Sequence, residues 1–123
     1  MKKIMGKSKP KGHYTPAIIS NGMVYISGQP SHDPKTGKVV HGGIKEEVKC
    51  SLMKIEEILK EVGLDRNSIV QCRLYITSNE YWTQANEAYA DFFGEHRPVR
   101  VAVPIRDLNY GCHVEIEAMA EVE

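Results

Sequence analysis

The sequence predicts an α+β fold in which a single β-sheet is covered on one face by two helices. Two stretches with apolar residues every three or four positions predict helices at about 44–62 and 80–93. Between them, alternating apolar and polar residues at 69–77 predict a strand. The expected element order is β-β-(β)-α-β-α-β-β. At 123 residues, the chain is expected to form one domain, 1–123, with an irregular lead-in at about 1–12.

The first two strands are predicted as a hairpin over 17–19 and 23–27. Asn21-Gly22 lies between them, and this pair favours the tight turns that join antiparallel strands. A second turn at 33–37 precedes a short third strand.

Both helices carry recognisable ends. Gly63 follows the first helix, at the position where a left-handed cap is expected. Ser78 or Asn79 can cap the start of the second, and Gly94 ends it. The buried stripe of the first helix is predicted to consist of Ile44, Val48, Leu52, Ile55, Leu59 and Val62.

Two more strands are predicted at 99–103 and 113–121, as an antiparallel hairpin. In the strand at 69–77 the expected core face consists of Val70, Cys72, Leu74 and Ile76. In the last strand it consists of Val114, Ile116, Ala118 and Ala120. The opposite face mixes charged and apolar groups, which is unusual for a solvated surface and predicts self-association.

Composition narrows the possible partners. Sixteen Lys+Arg balance sixteen Asp+Glu, so nothing requires the basic face of a nucleic-acid-binding protein. The cationic cluster in the lead-in is interpreted as a solvated arm and comprises Lys2, Lys3, Lys7, Lys9 and Lys11. No apolar run is long enough for a membrane span or an export signal, so a cytoplasmic location is expected.

Cysteine and histidine usage points away from disulfides and metals. Cys50, Cys72 and Cys112 are odd in number and far apart, which indicates reduced thiols. The five histidines show no ligand spacing, and no glycine-rich nucleotide motif is present. No metal and no cofactor are therefore expected.

Arg100 and Glu115 form the most informative pair. By parity they can share the face away from the helices, on strands expected to be neighbours. A guanidinium matches a ligand carboxylate, and a nearby glutamate can manage a proton or a water. From the pattern alone, a structural salt bridge between the two side chains is the simpler explanation. Tyr14, in a loop, could form the wall of a pocket, and Ser27-Gly28 could let a ligand approach the backbone or simply make a tight turn.

Several stretches together resemble the RidA/YjgF family. They include the segment from Pro98 to Val103, Arg106-Asp107-Leu108 and the segment from Val114 to Ala118. Tyr14, Ile26-Ser27-Gly28-Gln29-Pro30, the turn at 33–37, Glu61-Val62-Gly63-Leu64 and Asn86-x-x-Tyr89-x-x-Phe92-Phe93 also agree. The resemblance covers about 13–121.

The resemblance implies a chorismate-mutase-like fold, assembled as a barrel-like homotrimer with three clefts between subunits. It also implies hydrolysis of enamine/imine intermediates, of the 2-iminobutanoate/2-iminopropanoate kind, to 2-keto acids and ammonia. Arg100 would grip the substrate carboxylate, and Glu115 would handle the water and the departing amine. The Gly28 N–H would bind substrate, and Tyr14, from the adjacent subunit, would line the pocket beside Ser27 and Ala102.

Two departures from the family pattern concern the strand at 99–103. Many active members carry Ser/Thr and then Cys/Ser after the arginine, where this chain has Val101 and Ala102. His13 also stands where a proline is common. These changes leave the expected contact between Arg100 and the substrate carboxylate intact but leave the identity of the substrate open. A small-carboxylate sensor using the same cleft is the alternative, and an endoribonuclease is disfavoured by the neutral charge.

Overall fold

The computed structural model describes residues 1–7 and 10–122; Lys9 of the cationic cluster lies outside them. The helices are α1 (Ile44–Lys60) and α2 (Trp82–Phe93). The strands are β1 (Lys2–Ile4), β2 (Ala17–Ser20), β3 (Met23–Pro30), β4 (His32–Asp33), β5 (Lys38–Val39), β6 (Ile69–Ile76), β7 (Val99–Pro104) and β8 (Val114–Glu121).

Six strands form one sheet in the order β1-β2-β3-β8-β6-β7, and β4 pairs with β5 in a separate ribbon. All neighbours in the large sheet are antiparallel except β6 and β7, which run parallel. The last strand therefore lies in the middle of the sheet, and β7 forms an edge.

Both helices pack on one face of this sheet and enclose the core, as the sequence predicts. Leu52, Ile55 and Leu59 of α1 are fully buried, together with Leu74 and Ile116 from the strands beneath. This burial of aliphatic side chains is the main source of the fold's stability.

The local signals for turns and caps are confirmed. Asn21 and Gly22 adopt positive φ of 55° and 80°, the conformation that a tight hairpin turn requires. After α1, Gly63 has a φ of 78°, and the Leu64 N–H donates to the Leu59 carbonyl at 3.0 Å. This bond satisfies a carbonyl that the helix end would otherwise leave unpaired. Ser78 caps the turn before α2 by accepting from the Glu80 N–H.

The structure differs from the sequence-based expectations in three places. Lys2–Ile4 of the supposed irregular lead-in form a strand paired with β2. A register shift between Ile69 and Gln71 turns Ile69 into the core and leaves Val70 exposed. The expected hairpin of the last two strands is wrong, because β7 pairs with β6 and not with β8.

The segment that connects α1 to β6 is held between the helices by an ion pair of Arg66. Arg66 donates to both carboxylate oxygens of the buried Glu56, at 2.8 and 2.6 Å, and to the Phe92 carbonyl at 2.7 Å. The guanidinium also stacks over the Phe92 ring at 3.8 Å. These bonds lower the pKa of Glu56 and fix α2 against α1. No helix among the described residues is both long and apolar enough to cross a membrane.

Candidate functional site

Arg100 lies on the edge strand β7, on the face that the helices cover. Its register partner is the buried Cys72 of β6, which fixes the side of the sheet on which it emerges. The guanidinium Nη1 donates to Asn86 Oδ1 of α2 at 2.8 Å. Two aromatic rings of the same helix flank it, Tyr89 at 4.9 Å and Trp82 at 5.8 Å. Such faces hold a cation in place without neutralising it.

The charge of Arg100 has no acidic partner among the residues that the structure describes. One N–H is committed to the neutral Asn86, whereas a guanidinium has five. Burial raises the pKa of the neighbouring Cys72 thiol to about 11, so this group is a neutral neighbour at pH 7. Arg100 therefore keeps an uncompensated charge and free donors, which suit a planar carboxylate.

Glu115 lies on β8, on the face away from the helices. It stands opposite Pro30 of β3 and Tyr75 of β6. A bulge in β3 at Ser27 and Gly28 brings the backbone under its side chain, because three steps along β3 match two along β8. A methyl group on Gly28 would overlap the Glu115 carboxylate. Glycine therefore allows the carboxylate to lie directly against the strand, and a larger residue would displace it.

The carboxylate of Glu115 is held in an environment that favours its protonated form. Burial raises the pKa of Glu115, and the neighbouring Glu117 raises it further, whereas Lys54 lowers it. Glu117 is itself engaged, because it accepts a bond of 2.5 Å from the Tyr75 hydroxyl and pairs with Arg73 at 3.6 Å. Glu115 has no such partner among the described residues and can exchange a proton.

Ser27 precedes Gly28 in β3 and is bonded to the loop that carries Tyr14. The Ser27 hydroxyl donates to the Thr15 carbonyl at 2.7 Å, and the Ser27 N–H donates to the Pro16 carbonyl at 2.9 Å. These bonds fix the loop that presents Tyr14, whose ring is about half exposed.

The structure therefore divides the predicted site into two groups. Arg100 and Ala102 form the first, on the helix-covered face at the sheet edge, where Asn86 of α2 accepts a hydrogen bond from Arg100. Glu115 and Gly28 belong to the second, on or beside the open face. The expectation that Arg100 and Glu115 share one face was wrong, because Arg100 stands beside the buried Cys72 of β6, so that the valines of β7 and not Arg100 take the open face. The alternative of a salt bridge between them within one chain is also excluded.

Sequence reasoning did not assign a site role to the three α2 residues that hold Arg100. Trp82, Asn86 and Tyr89 are four and three positions apart and so lie on one helix face. A polar amide between two aromatics on that face was the available signal. Among the described residues, no group of three or more His, Cys, Asp or Glu side chains is arranged to hold a metal ion.

Comparison with known proteins identifies relatives along nearly the whole chain. A RutC family protein of Pyrococcus horikoshii is 38% identical over 115 residues, which span 94% of this chain and 91% of that protein. A human protein named 2-iminobutanoate/2-iminopropanoate deaminase is 36% identical over 109 residues, or 89% of this chain and 80% of the human one.

The fold agrees with a solved structure from Thermotoga maritima, described as a putative endoribonuclease. The TM-score is 0.91 at 34% sequence identity, over 100% of this chain and 99% of that chain. The family model described as Endoribonuclease L-PSP matches residues 5–122. The chain therefore belongs to this family, the RidA/YjgF family.

Proposed function

We propose that the protein hydrolyses small 2-imino acids, of the 2-iminobutanoate and 2-iminopropanoate kind, to 2-keto acids and ammonia. Relatives at about the same level of identity from several mammals are named as deaminases of these compounds, including the human protein at 36%. A general deaminase role follows from the family. The substrate and the mechanism are our proposal.

The observation that carries the proposal is the uncompensated guanidinium of Arg100. It is held by Asn86 and by two aromatic faces, and no carboxylate of the described residues neutralises it. A fixed cation with free donors binds a substrate carboxylate in two parallel hydrogen bonds. Every 2-imino acid carries that carboxylate next to the reacting carbon, so one contact positions the C=N bond.

The two groups of site residues require more than one subunit. Arg100 and Glu115 lie on opposite faces of the sheet and cannot reach one small molecule within a chain. The open face carries exposed apolar side chains, including Tyr25, Val99 and Val101, with Val99 62% exposed. We propose a homotrimer that covers this face and brings Glu115, Gly28 and Tyr14 of one subunit to Arg100 and Ala102 of the next.

In the proposed reaction Glu115 acts on water. Its carboxylate takes a proton as the water oxygen attacks the imine carbon, and the C=N electron pair moves to nitrogen. Glu115 then returns the proton to that nitrogen, and the tetrahedral intermediate expels ammonia as its hydroxyl oxygen forms the keto group and gives up its proton to the Glu115 carboxylate. A protonated imine is already electrophilic, so the step needs positioning and a base rather than a metal or another cofactor.

The remaining site residues shape the cavity. We propose that the Gly28 N–H donates to the substrate and that Tyr14 and Ser27 line the wall. Ala102 lies two residues after Arg100 on the same face, where a larger polar residue would narrow the space. A wider substrate side chain is therefore accepted. A reducing compartment such as the cytoplasm would keep Cys50, Cys72 and Cys112 as the free thiols that the structure contains.

A coupled assay tests the proposal. A serine/threonine dehydratase generates 2-aminoacrylate or 2-iminobutyrate, and keto-acid formation is followed with and without the protein. We expect acceleration that is linear in the amount of protein. No acceleration of either imine, with tight Arg100-dependent binding of 2-ketobutyrate, would instead support a non-catalytic sensor of small carboxylates.

Substituting Gly28 by Ala is expected to lower kcat by about tenfold or more, because the added methyl group displaces the Glu115 carboxylate. The same assay measures this loss, and thermal unfolding checks that the fold survives. The matched control is the double variant Gly28→Ala/Glu115→Gln. It should lose little beyond Glu115→Gln alone, since both changes act on one group. Fully additive losses would contradict this mechanism.

A further inference from the structure

We propose that Lys54 of α1 is a positioning residue for Glu115, holding the end of β3 against which the carboxylate rests and balancing its charge from behind the sheet. This inference rests on the proposed function for its kinetic consequence. Its structural part can be tested without any activity.

The first support is the hydrogen bonding of the Lys54 amine. Lys54 is partly buried between α1 and the end of β3, and its Nζ donates to the Pro30 carbonyl at 2.6 Å. Pro30 is the residue of β3 that stands directly opposite Glu115 of β8. The amine also lies 3.4 Å from Nδ1 of His32, which stacks on Tyr110 at a ring separation of 4.1 Å. The strand end is thereby tied to the helix.

The second support is the distribution of charge around Glu115. Glu117 on the same strand disfavours the ionised carboxylate, and Tyr75 on β6 is bonded to Glu117. Lys54 is the cation that lowers the pKa of Glu115. His113, at the start of β8, is occupied by a bond of 2.8 Å from its Nδ1 to Glu47 of α1.

No carboxylate in the part of the chain that the structure describes is bonded to the Lys54 amine. Burial lowers the pKa of Lys54, and the opposing effects of Cys50, Cys112, Asp33 and Glu115, which favour its protonated form, are smaller. Among the described residues, none of the ion pairs at 4.0 Å or less includes Lys54. Its amine is therefore held by neutral acceptors while its field reaches the carboxylate.

Three variants of the full-length protein separate the contributions. Lys54→Arg keeps charge and donor, Lys54→Gln keeps a donor without charge, and Lys54→Met removes both. The matched control is Lys49→Met, which removes an exposed lysine from the same helix. Carbon-13 NMR titration of the Glu115 carboxyl, assigned with Glu115→Gln, measures its pKa directly in each variant.

We expect the pKa of Glu115 to rise in Lys54→Gln and Lys54→Met and to stay at the wild-type value in Lys54→Arg and Lys49→Met. In the two neutral variants, the acid limb of the kcat/KM profile should shift to higher pH together with the pKa of Glu115. At a fixed pH on that limb kcat/KM should fall about three- to tenfold, while at high pH it is retained. An unchanged Glu115 titration in both neutral variants would overturn the proposal. A moved titration in a protein that accelerates no imine would leave the positioning intact and refute the proposed function.

Discussion

Substituting Arg100 by Met is expected to lower kcat/KM for a 2-imino acid by about 10²–10⁴-fold. Two charge-assisted hydrogen bonds to the substrate carboxylate, each about 1.5–3 kcal/mol, would be lost together. Arg100→Lys should fall between this variant and wild type, because it keeps the charge but loses the planar fork that Asn86 and the aromatic rings hold in place. The coupled imine assay measures both.

The matched control for Arg100 is Arg106→Met, which removes an exposed arginine just after the same strand. It should keep wild-type kinetics. Circular dichroism and analytical ultracentrifugation should show an intact fold and assembly in all three variants. Near-normal kcat/KM in Arg100→Met would contradict a role for this residue in holding the substrate.

Substituting Glu115 by Gln is expected to lower kcat by about 10²–10⁴-fold, the usual contribution of general acid–base catalysis. The glutamine side chain of this variant would have the shape of the carboxylate but could not accept the proton of the attacking water. Binding of 2-ketobutyrate should persist, since its carboxylate is held by Arg100. Glu121→Gln, at the exposed end of the same strand, is the matched control and should behave as wild type.

The pH profile provides an independent check on Glu115. Burial and then Glu117 raise its pKa above the ordinary value of 4.5. Glu115 must be ionised to act as the base. We therefore expect kcat/KM to be low at pH values below the raised pKa of Glu115 and to increase as the pH passes through it. The limb should disappear from the residual activity of Glu115→Gln. If the acid limb persisted in Glu115→Gln, the titrating group would be one other than Glu115.

Much of the fold could be predicted because its signals are local. The stripe of α1, the Asn21-Gly22 turn and the cap at Gly63 each follow from residues a few positions apart. Val70 could not be placed by alternation, because a register shift after Ile69 reverses the faces. Nothing in the neighbouring residues marks that shift.

The arrangement of the site was harder to predict because it depends on strand order. β7 follows β6 through a helix, and such a crossover joins parallel neighbours. That rule, applied to the segment from Ile69 to Pro104, predicts the parallel pairing correctly, but only the register beside the buried Cys72 places Arg100 on the helix-covered face. Pairing the last two strands by sequence proximity put Arg100 and Glu115 on one face of one chain, whereas the structure places them on opposite faces.

Mixing two inactive variants tests the central claim, that Arg100 of one subunit and Glu115 of another act on one imino acid. Arg100→Met and Glu115→Gln subunits are unfolded together in equal amounts, refolded and assayed. Random assembly gives about a quarter of the clefts both native residues, so activity should return to about a quarter of the wild-type value. Mixed trimers that stay as inactive as either parent would contradict the account.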